Sequence, residues 1–169
     1  MKGITLWFTG LPCCGKTTLA KRVRDKMMDD GLQVELLDGD TIRDFLNNQD
    51  FSKEGRLRHL DYIIYIAESL NKHGVSAICS FVSPYELTRE RARTKITNYF
   101  EIYVKCSVEE CIKRDVKGMY KKALDGEIKG FTGIDAPYEE PKNPHLVVDS
   151  ENKTIDECME EILHGEWKS

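Results

Sequence analysis

Gly10, Leu11, Pro12, Cys13, Cys14, Gly15, Lys16 and Thr17, with Thr18 directly behind, fit the spacing G-x-x-x-x-G-K-[ST], which carries the chemistry of gripping phosphate. Glycines let the backbone curl around phosphate oxygens, the N–H groups that open a helix point at them, and the helix dipole adds positive potential. Lys16 is then placed to reach β- and γ-phosphates, and the Thr17 hydroxyl to ligate Mg²⁺. Cys13 and Cys14 are the least expected letters, and read most simply as small side chains that fill space.

Such a loop works only between a strand and a helix. Ile4 to Thr9 reads as a short buried strand, and Leu19, Val23 and Met27 recur at helical spacing. From there strand and helix alternate. A helix over 16–31 leads to a strand at 34–37 and a short helix from near Thr41. A long amphipathic helix is marked by Leu57, Leu60, Ile63, Ile64, Ala67 and Leu70. Strands follow at 75–81, 100–104 and 146–148, with helices to about 98, over 111–115 and from Ile155. Five such units predict an α/β fold, a parallel five-stranded sheet with helices on both faces. Residues 116–145 break the alternation. They carry no sustained period, several Gly and Pro, and Tyr120, Phe131 and Tyr138 among lysines. That composition predicts a lid that closes over nucleotide and acceptor to keep water from the transferred phosphate.

In an open parallel sheet ligands sit at the carboxyl ends of the strands. Asp38 and Asp40 follow the second strand, where either could accept a proton or hold Mg²⁺ through water. Asp40 is also placed to cap the helix starting at Thr41. Arg43 lies a turn further, ready for an anionic acceptor. Ser83 follows the third strand, where it could hydrogen-bond an acceptor or simply form the turn before Pro84. Arg89, Arg91, Arg93 and Lys95 read most simply as a solvated helix face.

Composition bounds the partners. The 169 residues, 40% apolar and 32% charged, make one globular domain over 1–169. A net charge of -4 argues against nucleic-acid coating or a membrane surface. The apolar start runs straight into the phosphate loop without an A-x-A-like cleavage site, so it does not read as a secretion signal. Six cysteines without C-x-x-C spacing predict reduced thiols in a cytoplasm.

The longer runs carry a resemblance. Leu37-Asp38-Gly39-Asp40 with Ile42-Arg43, Phe51-Ser52-Lys53-Glu54 with Arg56, and Ser80 to Tyr85 join two long segments, Arg114 to Ala123 and Gly126 to Asp135. Together with the phosphate loop they resemble the adenylylsulfate kinase family of P-loop kinases. That family uses MgATP to phosphorylate the ribose 3′-hydroxyl of adenosine 5′-phosphosulfate (APS), giving 3′-phosphoadenosine 5′-phosphosulfate (PAPS). The resemblance implies that Phe51 and Phe131 sandwich the acceptor's adenine and that Arg43 and Arg56 hold its phosphosulfate. Asp40 would serve the 3′-hydroxyl and magnesium, with Lys16 catalytic beside it, and Arg114 would lie near the ATP base. Asp38, His59, Val82, Ser83 and Lys117 would complete the acceptor side. Ser83 matches a serine that the family is often described as phosphorylating. A homodimer is also implied. This chain departs from the family pattern at Cys13 and Cys14, and at Gly55, His59 and Glu86, where an aspartate, an asparagine and an arginine are usual. Two other readings share the same loop: a kinase of another nucleotide or small anion, and a non-catalytic nucleotide-binding protein.

Overall fold

A computed structural model describes residues 3–168. Five strands, β1 (Thr5–Thr9), β2 (Val34–Asp38), β3 (Ser76–Ser80), β4 (Tyr99–Lys105) and β5 (Leu146–Asp149), form one sheet in the order β2-β3-β1-β4-β5. Every pairing is parallel. The helices are α1 (Lys16–Asp29), α2 (Gly39–Phe45), α3 (Lys53–Lys72), α4 (Glu86–Lys95), α5 (Val108–Arg114), α6 (Met119–Leu124) and α7 (Ile155–Leu163). Among the described residues no helix is long and apolar enough to cross a membrane.

The central strands β3, β1 and β4 are buried on both faces, so alternate residues feed two cores. Leu6 and Phe8 of β1 and Ile102 and Val104 of β4 pack with Leu19, Val23 and Met27 of α1, Cys111 of α5 and Ile162 of α7. Trp7, Ala77 and Cys79 point the other way, onto Leu60, Ile63 and Ala67 of α3 and Ala92 of α4. Burial on that scale stabilises by roughly 25 cal/mol per Å² of apolar surface.

Three local expectations are corrected. Asp38, not Asp40, caps α2: its Oδ1 accepts the Thr41 N–H at 3.3 Å, and the helix starts two residues earlier than Thr41. The region 116–145 contains one helix, α6, which its six-residue length hid from any periodicity. Arg89 is no solvated residue. It is 0% exposed, donating to the Ser83 and Glu139 carbonyls at 2.5 Å each, and ion-paired with Glu86 at 2.5 Å. Beside it Glu101, fully buried on β4, accepts from Arg93 at 2.9 Å and from the Tyr99 hydroxyl at 3.0 Å. Burial pushes the Glu101 carboxyl up from its usual range, against those partners. Arg91 does stay on the surface, paired with Asp61.

Candidate active site

The phosphate loop connects β1 to α1. Gly15 takes φ 100° at the residue before α1, a left-handed turn that L side chains avoid. Cys13 adopts φ 63° without being glycine, the kind of local strain that gathers at ligand clamps. Lys16, 8% exposed, donates to the carbonyls of Gly10 at 3.0 Å and Leu11 at 2.6 Å. To reach a phosphate it would have to exchange these for phosphate oxygens, a swap of neutral acceptors for charged ones. Cys14 is buried in the core and its carbonyl accepts from the Ser150 hydroxyl at 2.7 Å, so it does fill space; Cys13 is partly exposed.

Two strand ends, those of β2 and β3, meet at Thr17. Its hydroxyl donates to Asp38 Oδ2 at 3.1 Å and lies 3.3 Å from Ser80 Oγ. These are hard oxygen donors, the chemistry Mg²⁺ selects. Of the two carboxylates, Asp38 reaches Thr17, while Asp40 forms an ion pair with Lys117 at the head of the lid. That pair raises the Lys117 ammonium pKa, chiefly through its hydrogen bond to Asp40.

Beyond the phosphate loop, the Arg43 guanidinium lies 4.5 Å from the Phe51 ring centre and donates to the Asn48 and Asp50 carbonyls. Arg56 ties the Phe51 turn to the lid. It donates to the carbonyls of Phe51 at 2.9 Å and Gly130 at 2.5 Å, and to Thr132 Oγ1 at 2.6 Å. Burial first, and Arg56 second, lower the pKa of Arg43. His59 is 2% exposed with neither ring nitrogen hydrogen-bonded. Burial, and then Arg43, lower its pKa to about 4, so the ring is neutral at physiological pH.

The lid is anchored by the aromatic residues that made it look ordered in sequence. Tyr120 is fully buried, donates to the Pro12 carbonyl at 3.1 Å and meets the Phe131 ring edge-on at 4.9 Å. Tyr138 stacks on Tyr103, and its hydroxyl is 2.9 Å from Thr9 Oγ1. The Val82 carbonyl accepts from the same Thr9 hydroxyl at 2.8 Å. Ser83 is 1% exposed, at φ 46°, and its hydroxyl accepts the Trp7 indole N–H at 3.0 Å. Arg114 bonds Glu110 and the Ser150 carbonyl, next to the loop through Ser150. Trp7, Ser80, Thr132 and Ser150 escaped sequence reasoning, because each works through a partner far away along the chain. Ser80 and Thr132 lie within the runs that carry the resemblance, but the β3 end pointed to Ser83 rather than Ser80, and Thr132 was given no role.

A phosphate loop at the head of a five-stranded parallel sheet, an acidic residue bonded to its threonine and a lid above define a P-loop kinase. The chain belongs to the adenylylsulphate kinase family, whose model matches residues 2–149. A probable adenylyl-sulfate kinase of Aeropyrum pernix is 51% identical over 92% of this chain and 87% of that one. The adenylyl-sulfate kinase of Synechococcus sp. (strain JA-3-3Ab) is 43% identical, covering 97% and 94%. Among solved structures, that of the Mycobacterium tuberculosis APS kinase CysC in complex with AMPPNP and APS superposes with a TM-score of 0.91, at 36% identity over 96% of each chain.

Proposed function

We propose that the protein transfers the γ-phosphate of ATP to the 3′-hydroxyl of APS, forming PAPS in sulfate assimilation. One observation carries the reading of the acceptor site: Arg56 joins the Phe51 turn to the lid at Gly130 and Thr132, bringing together the two segments that bear the aromatic rings and the paired guanidiniums. That arrangement suits a ligand with a flat base and an anionic tail. The similar M. tuberculosis enzyme, whose structure was solved with AMPPNP and APS, supports it.

Residues 10–18 would cradle the ATP phosphates, with Arg114 toward the base. Lys16 leaves the Gly10 and Leu11 carbonyls for the β- and γ-phosphates. A bound Mg²⁺ would supply positive charge against the phosphoryl oxygens during transfer. Thr17 and Asp38 would hold it, Asp38 through water; the metal role expected of Asp40 has less support, because Asp40 is engaged by Lys117. When that pair opens, Asp40 is free to take the 3′-hydroxyl proton as the oxygen attacks, and Lys117 to meet the acceptor's anion. Phe51 and Phe131 would hold the adenine, Arg43 and Arg56 the phosphosulfate, with His59 and Val82 lining the same side. In-line transfer needs no covalent intermediate. Phosphorylation of Ser83 would first require its hydroxyl to leave the Trp7 indole.

Two further parts belong to the same reading. Tyr62, Tyr65 and Ile66 expose apolar surface on α3, which supports a homodimer; sedimentation at micromolar concentration tests it. All six cysteines are free thiols, which fits a reducing cytoplasm. The deciding experiment offers MgATP with a panel of hydroxylated acceptors and scores phosphorylated product. Transfer to APS above all others is the expected result. Transfer to a different nucleotide would replace the acceptor assignment, and nucleotide binding without transfer would leave a non-catalytic protein.

A further inference from the structure

The turn between α2 and α3 carries Phe51 and is built around one acidic residue. Asp50 Oδ1 accepts the Ser52 N–H at 3.0 Å, the Asp50 N–H donates to Asn48 Oδ1 at 3.0 Å, and the Asp50 carbonyl accepts from Arg43 at 3.2 Å. Ser52 then caps α3 by accepting the Gly55 N–H at 3.0 Å. A second, steric observation concerns Gly55, buried in the first turn of that helix. A Cβ added there would lie 2.2 Å from the Asp50 carboxylate carbon and 2.4 and 2.5 Å from its oxygens. The exposed carboxylate lies in the volume that a side chain at 55 would claim, so such a side chain would make Asp50 move and give up its place beside Ser52. Its charge also faces the positive end of a 20-residue helix, with Arg58 and Arg43 near. Glycine weakens a helix relative to alanine, and the seated carboxylate gives a reason for glycine at this position.

We infer that Asp50 and Gly55 work as one unit: the carboxylate seated in the gap on α3 makes Asp50 a positioning residue, fixing the Phe51 ring and the Arg43 guanidinium for the acceptor. The inference rests on the acceptor assignment proposed above.

The test compares wild type, Gly55→Ala, Asp50→Ala, the double variant and Asp50→Asn by thermal unfolding and by KM for APS and MgATP. Gly55→Ala is expected to lower Tm while Asp50 is present and to raise it once Asp50 is alanine, since nothing is then displaced. Each alanine single should raise the APS KM about tenfold and move the MgATP KM less than about twofold, and the double should be no worse than the worse single. Asp50→Asn keeps the Ser52 contact and should recover most of the APS KM. A purely structural role would shift Tm without separating the two KM values. A Tm raised by Gly55→Ala in both backgrounds, additive KM effects, or equal changes for both substrates would overturn the inference. A wild-type protein that transfers nothing to APS removes the acceptor assignment, and this role with it, while the Tm cycle decides separately whether the carboxylate is seated.

Discussion

At the scale of single residues, the site sets two acidic side chains against different partners. Asp38 is bonded to Thr17 and caps α2, whereas Asp40 faces outward onto Lys117. If Asp40 takes the hydroxyl proton, Asp40→Asn lowers kcat by roughly a hundredfold or more while ATP still binds. Turnover close to wild type in that variant would leave Asp40 with only its ion pair. The aromatic rings invite a different measurement. Replacing Phe51 or Phe131 by alanine is expected to weaken APS by roughly 1–3 kcal/mol, the scale of stacking a base on a ring, with ATP affinity little changed. Calorimetric titration separates the cases, since Phe131 also packs on Tyr120. Equal loss for both ligands would mean that the ring only props the lid.

Among the elements, the lid and the α2–α3 turn are coupled through one guanidinium. Hydrogen bonds from charged groups are worth about 1.5–3 kcal/mol each. Arg56→Met should therefore speed amide exchange across residues 129–133 by about tenfold or more, an effect hydrogen-exchange mass spectrometry resolves. Unchanged exchange there would show that Tyr120 and Tyr138 hold the lid unaided. What the sequence made legible follows from the range over which each signal acts. The phosphate loop and all five strands stood out, because glycine spacing and continuous apolar runs are local. The α2 cap was assigned to Asp40 because two aspartates share the first turn and either satisfies the pattern. Arg89 looked like its solvated neighbours because its partners, Ser83 and Glu139, lie on other segments. Of the residues proposed for the acceptor, Arg43 stood out by its place one turn beyond the β2 end, whereas Arg56 and Phe131 became legible only through the resemblance, since no period links them.

For the molecule as a whole, buried ionisable groups tie stability to pH. The folded chain holds His59 neutral with its pKa near 4, whereas an unfolded histidine titrates near 6.5. The unfolded state therefore binds more protons between those values. Stability from this residue is complete above pH 6.5 and is lost as pH falls toward about 4. Urea midpoints measured across that window are expected to decline, and His59→Asn, which cannot titrate, to flatten the decline. A slope unchanged by the substitution would place the titration elsewhere. Breaking the interior ion cluster should also destabilise the fold: Glu101→Ala removes the carboxylate that Arg89 and Arg93 share, while Arg89 keeps Glu86, so the urea midpoint is expected to fall by less than the loss of an isolated buried pair would give.

The indole of Trp7 turns the Ser83 contact into a light signal. The chain has two tryptophans, and Trp7 is wholly enclosed, stacked on Phe81 at 5.9 Å with its N–H given to Ser83. With Trp167→Phe, emission comes from Trp7 alone, blue-shifted as for any indole shielded from water. Acceptor settling against residues 82 and 83 would strain that one hydrogen bond and change intensity or wavelength within milliseconds of mixing, whereas nucleotide alone would leave the spectrum nearly still. A phosphate arriving on Ser83 would displace the indole altogether and give a slower red shift that follows turnover. Stopped-flow traces in which only the fast phase appears would mean that the hydroxyl never leaves its indole partner during catalysis.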